Sequence, residues 1–204
     1  MQSNVCKIEK GCKDLEAILN ESERVAKYNN LTNKQTLQLR LLCEEIDGML
    51  PNIIDDFEGT LWIDFEDGIC KVNISIYIPE FNANKKEELI CISKSKKNAA
   101  AVGIVGKIRN TIENFFLSDE RMATLVLPSE IANLGPGYYA GGDCYYLWSL
   151  AQYKDTVKKE EQAEAWDELE KSVIASVADD VIVGVKGKCA EITVIKKFAK
   201  GDKK

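Results

Sequence analysis

Glu44 and Glu45 stand side by side in "LRLLCEEIDGML", Leu39 to Leu50, a run that is otherwise mostly apolar. Asp47 and Gly48 follow within a turn. Residues four apart on a helix share a face, so Arg40, Glu44 and Gly48 line up, and Arg40 can pair with Glu44. A glycine one turn past a carboxylate leaves space beside it for another backbone or a ligand. Acids placed this way can orient a water or give oxygen ligands to Mg2+. The same residues also make an ordinary polar face of Arg40, Glu44 and Asp47, with Gly48 permitting close packing.

A second candidate is "SKSKKNAAAVGIVGKIRN", Ser93 to Asn110. Ser95, Lys96, Lys97 and Asn98 lead into small residues, then a helical pattern carrying Gly103, Gly106 and Lys107. Free amides at a helix start, with lysines nearby, suit an anion. The GxxxxGK[ST] spacing of a P-loop is absent, and a lysine-rich loop before a packed helix fits the residues too. In "AWDELEKSVIASVADDV", Ala165 to Val181, Trp166, Leu169, Val173 and Val177 space as a helix face. Asp167, Glu168, Glu170 and Lys171 form its expected solvated side, and Asp179-Asp180 turn the chain into a strand. "NLGPGYYAGGD", Asn133 to Asp143, reads as a loop. It is a connector or, with Tyr138, Tyr139, Tyr145 and Tyr146 as an aromatic wall, a site for some other small ligand.

Composition excludes much. The 204 residues contain no histidine, which removes Ser-His-Asp and Cys-His catalysis and every His-containing metal site. The seven cysteines include no CxxC pair and several fall in apolar patterns, as in a reduced cytoplasmic protein. Neither a zinc nor a haem site is expected. A net charge of −6 argues against nucleic-acid binding as the main job. No apolar run of signal-peptide or membrane-spanning type occurs, so no membrane partner is expected.

The elements that must position these residues follow from periodicity. Val5–Glu9 suits a short strand. Helical spacing runs from Cys12 to about Asn29, and from about Lys34 toward Ile54, with Thr32 or Asn33 as N-cap and Pro51 expected to kink or end the second helix. The period then changes to two in "TLWIDFED" and "CKVNISIYI", joined by Asp67-Gly68, a strong hairpin signal. Lys85–Ile92 reads as a short helix and Asn98–Phe116 as a longer one. Residues 118–142 look irregular, helices are expected near Tyr145–Lys158 and Ala163–Val177, and a last strand pair turns at Gly187. This order predicts one domain over 1–198, an irregular or lid-like insertion around 118–144, and a polar tail at 199–204. The fold class is an α+β two-layer sandwich, with a mostly antiparallel sheet and helices on one face.

The order of elements, with the two boxes "CEEIDGML" and "NAAAVGIVGKIRNTI", resembles the Bergerat-fold ATP-binding domain of histidine kinases and anti-sigma-factor kinases. It is most similar to a group of bacterial proteins, mostly from anaerobic Firmicutes, described only as ATP-binding. They share patterns like "LLCEEIDGML", "GKIRN" and "WDELEKSV" with this chain. The resemblance implies a regulatory protein that binds ATP with Mg2+ and acts on a protein partner, at most a weak ATPase or protein kinase. Glu44 and Glu45 would be the catalytic acids, and Glu44 and Asp47 the metal ligands. Gly48, Ser95, Lys96, Lys97, Asn98, Gly103, Gly106 and Lys107 would line the nucleotide. Gly48 stands where the family places a metal-ligating Asn, and "IPEFNAN" lacks the Asp and Gly with which the family reads adenine. The alternative is the same fold as a non-catalytic interaction module that has lost its nucleotide.

Overall fold

The computed structural model describes residues 1–10, 15–54, 57–78, 103–117, 144–160, 162–186 and 188–198. In chain order these form β1 (Cys6–Glu9), α1 (Leu15–Tyr28), α2 (Asn33–Ile53), β2 (Glu58–Glu66), β3 (Ile69–Tyr77) and α3 (Gly103–Leu117). Then come β4 (Cys144–Ser149), α4 (Leu150–Lys159), α5 (Ala163–Lys171), α6 (Val173–Val177), β5 (Asp180–Lys186) and β6 (Cys189–Lys197). The expected short helix at 85–92, the loop at 133–143 and the tail at 199–204 lie outside the described residues.

Among the described residues the strands form one six-stranded sheet in the order β1-β2-β3-β6-β5-β4, every neighbouring pair antiparallel. With the helices packed against it, the architecture is a coarse α+β sandwich. Alternation decides which side chains face the helices. Leu61 and Ile63 of β2, Val72, Ile74 and Ile76 of β3, Val181, Val183 and Val185 of β5 and Ile192 and Val194 of β6 are all buried. The β2–β3 turn uses Asp67 and Gly68 with φ of +50° and +82°, as a two-residue hairpin requires. Gly68 is fixed twice over, because a Cβ there would lie 2.9 Å from the Phe198 carbonyl oxygen.

Helix α2 is the central packing element. Thr32 caps its start reciprocally with Gln35, its hydroxyl accepting from the Gln35 amide. Leu39, Leu42, Cys43, Ile46, Met49, Leu50 and Ile53 form one buried stripe. Both α1 and α3 pack against it. Pro51 does not end the helix at once: it lies in the last turn, where it forfeits one hydrogen bond, and the helix runs on to Ile53.

Two expectations are corrected. The helix expected from Tyr145 begins at Leu150, because Cys144–Ser149 is a strand paired with β5. Tyr, Leu and Trp in succession suit a pleated surface as well as a helix, and the open edge of β5 decides the outcome. The helix expected over Ala163–Val177 is two helices, broken at Ser172, whose hydroxyl accepts from the Ala175 amide and restarts the chain as α6.

The other face of the sheet carries half-buried polar side chains that satisfy one another. Asp64 accepts from Trp62 Nε1 at 3.0 Å and Asn73 Nδ2 at 2.9 Å; Thr193 donates to Asn73, and Ser75 to Glu191 at 2.7 Å. Burial pushes the Glu191 carboxyl above its ordinary range, against the opposing pull of the Ser75 hydroxyl and Lys186. A carboxyl whose folded value is raised favours the fold when protonated, so that contribution is lost as pH rises through the ordinary to the raised value. Glu191→Gln is therefore expected to raise the melting temperature at neutral pH, the gain vanishing below about pH 4, where wild-type Glu191 is protonated in both states. In β2, a Cβ on Gly59 would meet the Ser75 carbonyl oxygen at 2.4 Å, inside the strand pair itself. Urea denaturation of Gly59→Ala is expected to show a loss of about 1–3 kcal/mol from overpacking.

Candidate functional site

The acids of α2 lie where the sequence places them, on the flank of the buried stripe. Glu44 and Glu45 are both half-buried. Arg40 Nε donates to Glu44 at 3.2 Å, and Arg40 Nη1 reaches Glu23 on α1 at 2.5 Å. The guanidinium is held above its ordinary value, first by the Glu44 hydrogen bond. Glu44 thus belongs to a Glu23–Arg40–Glu44 chain that joins α1 to α2, and its charge is already compensated. Asp47 differs: it is half-buried, it has no ion-pair partner among the described residues, and burial raises its carboxyl. Among the described residues the space expected beside the acids exists, since a Cβ on exposed Gly48 would meet none of their atoms within 4 Å. Met49 is 4% exposed and buried in the core, whereas Gly48 is exposed, so the Glu44–Gly48 face opens outward.

Helix α3 holds the second cluster. It begins at Gly103 with φ of +78°, a conformation that favours glycine, and among the described residues nothing lies within 4 Å of the Cβ position. The Gly103 amide, an unpaired donor by its place in the first turn, donates to Glu168 Oε2 of α5 at 3.0 Å. Lys107 Nζ sits 5.1 Å from the centre of the Tyr153 ring of α4, a cation–π distance. Gly106 is buried, one turn before Asn110. Burial, and next the charge of Glu168, raise the Tyr153 phenol.

Among the described residues, a hydrogen bond joins the two clusters. Arg109 of α3 pairs with Glu113 at 2.7 Å and donates to the Asn52 carbonyl oxygen of α2 at 3.5 Å. Asn52 in turn donates through Nδ2 to the Gly48 carbonyl oxygen at 3.2 Å. Asn52, Arg109, Tyr153 and Glu168 are thus the residues that sequence reasoning missed. For Asn52 a signal existed: it continues the i, i+4 series Arg40, Glu44, Gly48. Glu168, expected on a solvated helix face, is half-buried against α3 instead; partners from distant elements leave no local pattern. Ser95, Lys96, Lys97, Asn98, Tyr138 and Tyr139 lie outside the described residues; Tyr145 and Tyr146 lie in β4.

Asp180 fixes where α4, and so Tyr153, stands. It is 6% exposed and accepts from the Ser149 hydroxyl at 3.0 Å, the Ala151 amide at 2.9 Å and the Val181 amide at 2.8 Å. It therefore caps α4 from β5 rather than simply turning the chain. Lys154 of the same helix donates to the Ala175 carbonyl oxygen at 2.7 Å, tying α4 to α6. Buried thiols take no part in this chemistry: burial pushes Cys43 up to about 12 and Cys70 upward as well, away from the reactive thiolate. No group of three or more His, Cys, Asp or Glu side chains able to hold a metal ion occurs among the described residues. Among them, too, no helix is long and apolar enough to cross a membrane.

No protein-family model matches the chain, and no curated protein matches it. The site is therefore judged on its own geometry. Asp180→Ala leaves the Ser149 hydroxyl and two amides without their acceptor; chemical denaturation is expected to show a loss of about 2 kcal/mol or more.

Proposed function

We propose that the chain is a nucleotide-binding regulatory protein of the Bergerat, histidine-kinase-like type. The observation that carries this reading is the start of α3. A glycine in the left-handed region presents its amide to an oxyanion, here a carboxylate, and Lys107 stands one turn along. The order of elements supports it: an acid-bearing helix, a strand hairpin, a glycine-led helix and a closing strand pair.

The donor set fits Mg2+ in part. Asp47 is a half-buried carboxylate with no ion-pair partner among the described residues, beside the open space at Gly48, and Glu45 is half-buried on the same helix. Glu44 is held by Arg40, which makes it an orienting residue rather than a free ligand. Bound Mg2+ would neutralise phosphate charge, keeping several of its waters because α2 supplies few oxygens. The α3 amide and Lys107 would hold phosphate oxygens.

Calorimetric titration with ATP and Mg2+ tests the reading: a saturable isotherm is expected, and no binding at about 1 mM nucleotide, where −4 kcal/mol would be detectable, rejects it. Saturating Mg2+ is expected to raise the melting temperature of the wild type in the presence of ATP, and to do so less in Asp47→Asn, since binding to the folded state alone stabilises it. One observation favours the second reading, a non-catalytic module acting on a protein partner: the oxyanion at α3 is the chain's own Glu168.

A further inference from the structure

The outward face of α2 carries apolar side chains that the fold does not use. At 3.6 residues per turn, Lys34, Leu37, Leu41, Glu45, Gly48 and Asn52 lie within about 40° of Leu41 around the helix axis, opposite the buried stripe. Leu37 is 65% exposed and Leu41 36%, one turn apart. A single exposed leucine is ordinary, but two stacked on one face make a patch that a partner can cover. Lys34 stands before the leucines and Glu45 after them, and neither has an ion-pair partner among the described residues. Along the whole helix the bases, Lys34 and Arg40, come first and the acids, Glu44, Glu45 and Asp47, come last. Lys34 in the first turn has the wrong sign for the dipole of its own helix, and base before acid is the weaker order for the Arg40–Glu44 pair. Stabilising α2 itself therefore does not account for this order of charges.

We propose that Lys34 to Glu45 of α2 is the contact face of a symmetric dimer, its partner a second copy of this chain packed antiparallel across Leu37 and Leu41. A two-fold axis makes one patch meet itself, so the patch must complement its own reverse. Base, leucine, leucine, acid is such a series. With the axis level with Leu39 and Arg40, Leu37 falls beside the partner's Leu41, offset along the helices by about 1.5 Å, and Lys34 falls level with the partner's Glu45. The axis repeats both contacts, and two antiparallel helix dipoles attract. Gly48 and Asn52 lie past the start of the partner's α2, and the inference is independent of the nucleotide reading. The patch is small, which makes the dimer one of the weak, transient class.

Sedimentation equilibrium of the full chain, without nucleotide, tests the dimer. The mass is expected to rise from 22.8 kDa toward twice that value with concentration, with a dissociation constant of about 10–100 μM. Leu37→Ser combined with Leu41→Ser is expected to weaken the dimer about tenfold or more, while circular dichroism shows the monomer still folded, because both side chains are exposed. Lys34→Glu alone and Glu45→Lys alone, each setting like charges together twice, are expected to weaken it about fivefold. Lys34→Glu combined with Glu45→Lys restores both pairs in reverse and is expected to return to within about twofold of the wild type. A monomer at every concentration up to about 500 μM overturns the proposal and leaves the patch to a different protein. A dimer indifferent to the two leucine changes overturns it too, since another face then joins the copies. Single charge changes that weaken the dimer without rescue by their combination overturn the antiparallel packing, and the proposal with it.

Discussion

Seven side chains of α2, from Leu39 to Ile53, are buried between the sheet and the flanking helices. A helix with that stripe inward has only its flanks left for polar groups. This constraint puts Glu44 toward α1, where Arg40 and Glu23 compensate it, and leaves Asp47 half-buried without an ion-pair partner among the described residues. It also makes Met49 core and leaves Gly48 the open position. The anchoring of α3 depends on the same helix, because Arg109 bonds a carbonyl at the end of α2. A large-to-small change in this stripe, at Ile46 for example, would unseat both clusters together.

Around this core, charge is handled locally. The exposed ion pair on α5 and the partly exposed ones on α1 and α2 add little to stability, since solvent screens them. Buried and half-buried polar groups are handled differently. Asp180 has three donors, and the Asp64–Asn73–Thr193 chain satisfies its members across three strands. Among the described residues no buried side-chain nitrogen or oxygen is left without a partner. Against that background Glu168 matters. It accepts from the Gly103 amide at the start of α3 and so caps that helix from α5.

Much of the fold was legible in the sequence, for physical reasons. Strict alternation in "CKVNISIYI" and a two-residue Asp-Gly turn leave a hairpin little choice of register. The α2 stripe and its Thr32–Gln35 capping box are local signals too. What was not legible depends on tertiary partners. Cys144–Ser149 became a strand because β5 offered an edge, and Ser172 broke a helix that periodicity alone would continue. Of the candidate site, the α2 acids and the α3 glycines were visible as residue types at fixed spacing. Their present partners, Glu23, Tyr153 and Glu168, were not, since contacts across tens of residues leave no trace in a window of one helix.

The central proposal is that α2 and α3 both contribute to one nucleotide site. Amide NMR of the full chain, titrated with ATP and Mg2+, tests it most directly. The account predicts that the Gly103 and Lys107 amides of α3 and the Asp47 and Gly48 amides of α2 shift together along one saturating curve. Shifts confined to one helix, or a response centred on the polar face of β2, β3 and β6, would contradict it.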